Sequence, residues 1–407
     1  MNTEKEFIPQ LRFPEYTHAN SFWHEIFVGD SIKTIAPPKK LQSNDYKETG
    51  KYPIIDQSQE FICGYSDDDS ALINKNSREL IVFGDHTCVL KFIDFPFIQG
   101  ADGIKIFEPK RADEIDVGYL YQYLVSSHIE SKEYKRHFSE LKEKIFLYPT
   151  INEQTKIADC LFAIDSYISS INEKVEQLKA HKKSLMQKMF PQKGQTVPEY
   201  RLPEFKDSKG WEEKRLGDIF KRITNKNITN NQNVLTISAQ YGLVSQYDYF
   251  HKSVAASDLS NYYLLKKGDF AYNKSRSQGY PYGAIKPLRL YDEGVVSTLY
   301  ICFRIKGCDI VDTFFEYYFE TELINEEIGK IAQEGARNHG LLNISTDDFF
   351  NKVVLLVPSP SEQKVIAECL SSLDRTIRLY SEKVSRLEQH KKGLMQQLFP
   401  KVKKLKK

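Results

Sequence analysis

The chain has no apolar run near the ~18 residues that a membrane-spanning helix needs. It also has no amino-terminal stretch patterned like a secretory signal. Membrane insertion and export are therefore not expected, and a cytoplasmic location is. Cysteine is sparse. The six cysteines, at 63, 88, 160, 302, 308 and 369, include no Cys-x-x-Cys pair, which speaks for reduced core thiols and against a zinc site or a disulfide framework. An excess of one charge is missing too, because 57 basic and 55 acidic residues leave a formal net charge of +2. Nucleic-acid binding would have to come from local patches, not from bulk charge. There is no Gly-x-Gly cofactor loop, no Asn/Asp-Pro-Pro-aromatic tetrad for adenine amino-methylation and no Walker A lysine loop. No convincing acid-pair-plus-lysine nuclease centre stands out either. Aromatics, by contrast, are plentiful: 24 Tyr and 25 Phe suit β-rich domains.

The chain contains one long stretch twice. Residues 153–191 return as residues 362–400 at a constant offset of 209 without a gap, and 20 of the 39 positions are identical. Glu153-Gln154 matches Glu362-Gln363, Cys160 matches Cys369, Asp165 matches Asp374, and His181-Lys182-Lys183 matches His390-Lys391-Lys392. Ungapped identity of that length is a duplication. Apolar residues in each copy follow a 4-3-4-3 spacing, from Ile157, Leu161 and Ile164 to Met189 and from Ile366, Leu370 and Leu373 to Leu398. Lys182 and Lys391 fill the one polar slot in each seam. A 3.5-residue period held over about five heptads predicts a coiled-coil helix. Each copy starts after a proline-bearing approach, Pro149 or Pro358-Ser359-Pro360, and stops at Phe-Pro. At 1.5 Å per residue, each helix would be roughly 55 Å long. The natural partner of one copy is the other. The alternative is an amphipathic helix packed on its own domain, although such helices rarely hold a seam this long.

The repeat extends upstream. Arg12-Phe13-Pro14-Glu15-Tyr16 matches Arg201-Leu202-Pro203-Glu204-Phe205, and Trp23 and Gly29-Asp30 return as Trp211 and Gly217-Asp218 at an offset of 188. The middles have diverged. Preserved ends around divergent middles suggest a fixed frame carrying two different recognition domains.

Two Arg-x-Pro-Glu-aromatic segments, each followed by Trp, and two Glu-Gln-initiated helices ending in Leu-Met-Gln and Phe-Pro resemble the specificity (S) subunit of type I restriction-modification systems. The resemblance covers essentially the whole chain. It implies two target recognition domains, each reading half of a split site on double-stranded DNA, spaced by an antiparallel coiled coil. It also implies a chain without catalysis of its own. Two methylation (M) subunits would bind it, and two restriction (R) subunits would complete the nuclease. S-adenosylmethionine for adenine N6 methylation, Mg2+ and ATP would then sit on the partners, with no cofactor on this chain.

The expected fold class is α+β: two α/β target recognition domains separated by an antiparallel coiled coil of two long repeated helices, pseudo-two-fold symmetric. The expected segments are an N-terminal lead-in at 1–19, recognition domain 1 at 20–148, and the central repeat helix and linker at 149–205. Recognition domain 2 follows at 206–356, and the distal repeat helix and basic tail at 357–407. Independently of the resemblance, antiparallel helices turn a direct repeat in sequence into an inverted arrangement in space, which suits the local dyads of duplex DNA. A rigid spacer would fix the unread base pairs between half-sites, at ~3.4 Å each.

Candidate DNA contacts come from loops. In the first domain Lys75, Asn76, Ser77 and Arg78 form a polar-basic loop, and Gln99 opens a Gly-containing one. Gly84-Asp85-His86-Thr87 resembles a turn found in recognition domains of the family and reads as structural. In the second domain six Lys or Arg and one acid, Asp269, lie between Lys266 and Arg289. Within that span Asn273, Lys274, Ser275, Arg276, Ser277, Gln278, Tyr280 and Tyr282 combine base-edge donors, phosphate-binding groups and aromatics. Arg337, Asn338 and His339, flanked by glycines, offer the same chemistry. On the helices the outward faces carry Lys174, Lys179, Lys182 and Lys183 beside Glu173 and Glu176, a docking surface for partner subunits or simply the solvated face of a coiled coil. Two other functions fit the same residues: a DNA-binding adaptor or silent recombination variant outside any active complex, and an autonomous DNA-modifying enzyme with an unrecognised centre.

Overall fold

The computed structural model describes residues 8–17, 23–101, 103–127, 136–238, 242–250, 258–277, 279–307, 309–332 and 340–400. Two helices of 39 residues, Ile151–Met189 and Pro360–Leu398, stand where the heptad pattern puts them. The chain divides into two compact units, residues 1–173 with 381–407 and residues 174–380. Both limits fall inside the long helices, so the units cut across the sequence segments. Each unit takes one sheet-rich middle and part of each helix.

The first unit contains strands β1 (His24–Phe27), β2 (Ile32–Ile35), β3 (Tyr52–Ile55), β4 (Gly64–Ser66) and β5 (Leu72–Ile73). They are followed by β6 (Leu80–Gly84), β7 (Leu90–Ile93), β8 (Phe97–Gln99), β9 (Ile104–Pro109) and β10 (Ile145–Tyr148). They form a β1-β10 pair and two four-stranded sheets, β2-β9-β6-β7 and β4-β3-β8-β5. Every residue of β6 is buried, as a continuous apolar run in a central strand should be.

The second unit contains β11 (Glu212–Arg215), β12 (Phe220–Arg222), β13 (Leu235–Ser238), β14 (Gly242–Ser245) and β15 (Tyr263–Lys266). After them come β16 (Phe270–Asn273), β17 (Ala284–Pro287), β18 (Glu293–Val296), β19 (Ile301–Ile305) and β20 (Val354–Val357). Its β11-β20 pair and its β12-β19-β16-β17 sheet repeat the first unit's plan, beside two further strand pairs. Register repeats as well. His24 faces Tyr148 as Glu212 faces Val357, and Ile32 faces Pro109 as Phe220 faces Ile305.

The start of each long helix is held by the same buried polar set. Arg12 donates twice to the Glu153 carboxylate, both at 2.7 Å, and the Glu153 side chain is fully buried. Arg201 grips Glu362 at 2.8 and 2.7 Å. A fork of two parallel N–H donors matches a carboxylate and satisfies it away from water. The neighbouring Gln154 accepts from the Asp116 backbone N–H at 3.0 Å and donates to the Pro149 carbonyl at 2.8 Å. Gln363 does the same with Val311 and Pro358, at 3.1 and 3.0 Å. These amides bind backbone atoms of the divergent middles, so they hold either one regardless of its side chains.

The Phe-Pro ends close the cores. Phe399 packs against Tyr119 and Tyr123, with ring centroids 5.6 and 5.4 Å apart, inside the first unit. Phe190 packs against Trp211 and Phe314 at 5.8 and 5.6 Å inside the second. Large rings at this separation contribute through buried area and edge-to-face geometry.

Within each unit the two helices run in opposite directions. In the first, Asp165 meets Lys391 while the later Tyr167 meets the earlier Lys383. In the second, Lys182 meets Asp374, while Met189 and Phe190 share a core with Ile366 and Leu370. The seam lysines thus have partners. Lys391 reaches Asp165 at 2.6 Å, and Lys182 reaches Asp374 at 2.6 and 2.7 Å. This corrects the reading of Lys182 as solvated: its side chain is 21% exposed and points across the seam. Gln122 joins the first pair through Asp165 at 3.0 Å, and Tyr317 joins the second through Asp374 at 2.7 Å.

Candidate nucleic-acid interface

The loop between β16 and β17 leaves the sheet at Asn273, whose side-chain oxygen accepts from the Ser275 N–H at 3.1 Å. Ser277 and Tyr280 then exchange backbone hydrogen bonds at 3.2 and 2.9 Å, closing a tight turn. Gly279 takes φ +80°, and Gly283 takes φ +78° with no room for a Cβ, which would sit 2.3 Å from the Asn273 carbonyl. Only glycine adopts this return path without strain. Arg276 N–H donates to the Gly340 carbonyl at 2.9 Å, and Leu342 N–H donates to the Lys274 carbonyl at 3.0 Å. The loop is thereby laced to the chain just after Arg337, Asn338 and His339. Those three residues and Gln278 lie outside the described residues.

Ser275, Arg276 and Ser277 are exposed, and Asn273 and Lys274 are half-buried. Among the described residues no carboxylate pairs with Lys274 or Arg276. The rest of the apparent basic excess is neutralised, which corrects the sequence picture. Arg289 bonds Asp312 at 2.5 Å and Glu316 at 3.0 Å, and Lys286 pairs with Glu320. Lys266 and Lys267 lie near Glu293 and Asp292 at 3.7 and 3.9 Å. Tyr280 is drawn into the same network, donating to Glu320 at 2.9 Å and accepting from Lys286 at 3.1 Å. Burial pushes its phenol pKa up. Tyr282 packs partly against the core, its carbonyl accepting from the Tyr272 hydroxyl at 2.7 Å. Arg276, Ser275, Ser277 and Lys274 remain the groups presented to a ligand.

The first unit builds the same corner differently. By sheet position and register β6 corresponds to β16, and the His137 N–H donates to the Asp85 carbonyl as Leu342 does to Lys274. Here the hairpin is short and its Asp85 is internal. The 4% exposed Asp85 carboxylate accepts from the Phe138 N–H at 2.9 Å, and the Thr87 hydroxyl donates to the Gln57 carbonyl at 2.6 Å. Gly84-Asp85-His86-Thr87 is a structural turn.

Lys75, Asn76, Ser77 and Arg78 lie at the opposite end of β6, before the strand begins. All four are exposed. Asn74 pins the loop, accepting from the Arg78 N–H at 2.8 Å and donating to its carbonyl at 2.6 Å. The Arg78 guanidinium meets Glu108 at 3.2 Å. The structure therefore does not bring this loop to the corner matching Asn273–Ser277. Gln99 lies elsewhere again. It ends β8, which is hydrogen-bonded to β3 and β5, is 2% exposed, and lines a cleft beside Lys33, Lys40 and Lys105.

The counterpart of the 337–339 stretch in the first unit is the segment before His137, where the sequence holds Lys132, Lys135 and Arg136. Sequence reasoning passed over it. The available signal was its position relative to the shared frame, since it precedes the last strand of its domain as 337–339 does. Residues 128–135 lie outside the described residues, and Arg136 is exposed.

The type I restriction modification DNA specificity domain matches this chain twice, over residues 20–180 and 208–389. The chain belongs to this family. Its function is DNA sequence specificity within a type I restriction-modification complex, as the double match and its specificity-subunit relatives show. It is 26% identical over 428 residues to the type I restriction enzyme MjaVIII specificity subunit of Methanocaldococcus jannaschii, covering 96% of this chain and 93% of that protein. It is also 26% identical over 157 residues to the EcoR124I/EcoR124II specificity subunit of Escherichia coli, covering 38% of each. The fold is that of the type I restriction-modification S subunit from M. genitalium, with a TM-score of 0.60 at 16% identity over 97% of this chain and 100% of that one. Each family match includes one sheet-rich middle and most of one long helix. No helix among the described residues is long and apolar enough to cross a membrane.

Proposed function

We propose that each compact unit of this specificity subunit reads one half of an asymmetric, bipartite site on double-stranded DNA. The paired helices set the unread spacer between the halves. One observation carries the reading: sheet order and strand register repeat between the units, while the loops at the ends of β6 and β16 differ in length, charge and sequence. A shared frame with unlike loops suits two unlike half-sites. Arg276 is the leading base-edge donor in the second unit, since Arg pairs bidentately with guanine and no carboxylate among the described residues competes for it.

The chain acts without chemistry of its own. It delivers two methylation subunits, and for cleavage two restriction subunits, to the site. S-adenosylmethionine, Mg2+ and ATP belong to those partners, and the complex works in the cytoplasm. The outward faces of the long helices are the docking surface.

Methylome sequencing tests this reading. Deleting the chain from its host should erase adenine methylation at one bipartite motif. Inserting four residues in one long helix should change that motif's spacer and leave both half-sites intact. Altered half-sites with an unchanged spacer would count against it. Purified chain supplied with Mg2+ and S-adenosylmethionine should leave DNA unmodified, and turnover there would favour an autonomous enzyme. Failure to copurify with a methylation subunit would favour a silent adaptor.

A further inference from the structure

The first unit contains a cleft of about 790 Å³ lined by five lysines, Lys33, Lys40, Lys105, Lys110 and Lys142, and by no carboxylate among the described residues. Its wall is formed by β2, β9 and the short helix Phe138–Lys142. Two of the ammonium groups, those of Lys105 and Lys142, lie 6.0 and 5.7 Å from the centre of the Phe138 ring. An aromatic face holds such cations in place without neutralising them. Lys33 pairs with Glu108 at 3.0 Å, just beyond the lining.

The duplicated frame separates lysines that support the fold from lysines that do not. Lys110 donates to the Gly29 carbonyl, and Lys306 donates likewise to Gly217 in the second unit. Lys110 is therefore part of the shared scaffold. Lys105 and Lys142 are not. Register places Ile301 at the position of Lys105. Gly29 packs against the Lys142 side chain, whereas Gly217 meets the backbone carbonyl of Phe350. Neither position carries a lysine in the second unit, so the frame does not need charge there. Like charges gathered in a cleft repel one another, and an anionic ligand offsets that cost.

We infer that this cleft is the phosphate-binding groove of the first recognition domain, with Lys105 and Lys142 each holding a backbone phosphate of duplex DNA. The inference rests on the DNA-binding reading above and extends it: the first domain grips the backbone through lysines that its twin lacks. Phosphate contacts fix position and carry no sequence information. Each one releases counterions, so affinity falls with salt in proportion to their number.

The test is fluorescence anisotropy of the full chain on duplexes with and without the methylated motif, between 50 and 200 mM salt. The double variant Lys105→Ala/Lys142→Ala should lower the salt slope by about 2 on both duplexes. The wild-type chain would then lose about ten-fold more affinity than the variant over that range. Lys105→Arg/Lys142→Arg should keep the slope. Lys47→Ala should also keep it, because that charge is already paired with Asp67. Normal binding with an unchanged slope in the double alanine variant overturns the inference, as does a loss confined to the motif-bearing duplex. No binding by the wild-type chain at any salt would sink the DNA-binding reading itself. An unaltered thermal unfolding curve for the alanine variant shows that the fold is not the cause.

Discussion

Lys182 meets Asp374 across the helix seam at 2.6 Å, and 209 residues apart in each strand of the duplication Lys391 meets Asp165 at the same distance. A lysine in an apolar seam costs stability but selects one register, because any shift leaves it facing an apolar neighbour. Lys182→Asp should set two carboxylates face to face and destabilise the second unit by about 1–3 kcal/mol. Lys182→Asp with Asp374→Lys should recover most of that. A double-mutant cycle from chemical denaturation measures the coupling, and independent, additive effects would show that the pair has no influence on register.

The Arg12–Glu153 and Arg201–Glu362 forks should be far less tolerant. The Glu362 side chain is 2% exposed, and removing Arg201 leaves that carboxylate without its guanidinium. Arg201→Ala should cost about 3–5 kcal/mol. Arg201→Lys should rescue only part of it, since an ammonium cannot reproduce the two parallel donors. Urea unfolding followed by tryptophan fluorescence reports directly, because Trp211 Nε1 donates to the same carboxylate at 3.3 Å.

Two neighbouring basic residues of the second unit should fail in opposite ways. Arg276→Ala should leave stability alone and relax the base preference of one half-site by about 1–3 kcal/mol. Lys286→Ala should leave the motif unchanged and lower stability, because its ammonium holds Glu320 and Tyr280. Methylome motifs and melting temperatures, measured on both variants, separate the two roles. The reverse pattern would assign base reading to the wrong side of the loop.

Thiol chemistry gives an independent check on the core. Burial pushes the Cys302 thiol up to about 12, and the residue is 1% exposed. Since the thiolate is the reactive form, Cys302 should resist iodoacetamide at pH 8 in the native chain. Cys160, half-exposed on the first long helix, should react sooner. Mass spectrometry of timed quenches ranks them. Early labelling of Cys302 would mean that the β16–β19 sheet opens readily.

The duplication, the two helices and their Glu-Gln beginnings were legible because they are written as repeated letters and a repeated period. The seam lysines were half legible. Their slot was visible, but each partner lies about two hundred residues away, where no local pattern reaches. The overcounted positive patch has a similar cause. Asp312 and Glu316 sit four apart on one short helix and Glu320 in the turn that follows it, and only folding brings them against Arg289 and Lys286. Gln99 read as a loop residue because of its glycine-rich context, whereas pairing on both sides makes it the end of an interior strand. The lysine cleft escaped notice because its members are scattered from 33 to 142 and never form a run.

Phe399 completes the aromatic cluster around Tyr119 and Tyr123, although some 280 residues of chain separate them. During synthesis the core around Tyr119 and Tyr123 therefore lacks one of its rings until residue 399 has been made. Phe190, by contrast, is already made when Trp211 and Phe314 emerge. The half translated second thus holds its own closing ring before the first does, and a chain ended before Phe399 would damage the core of the unit translated first.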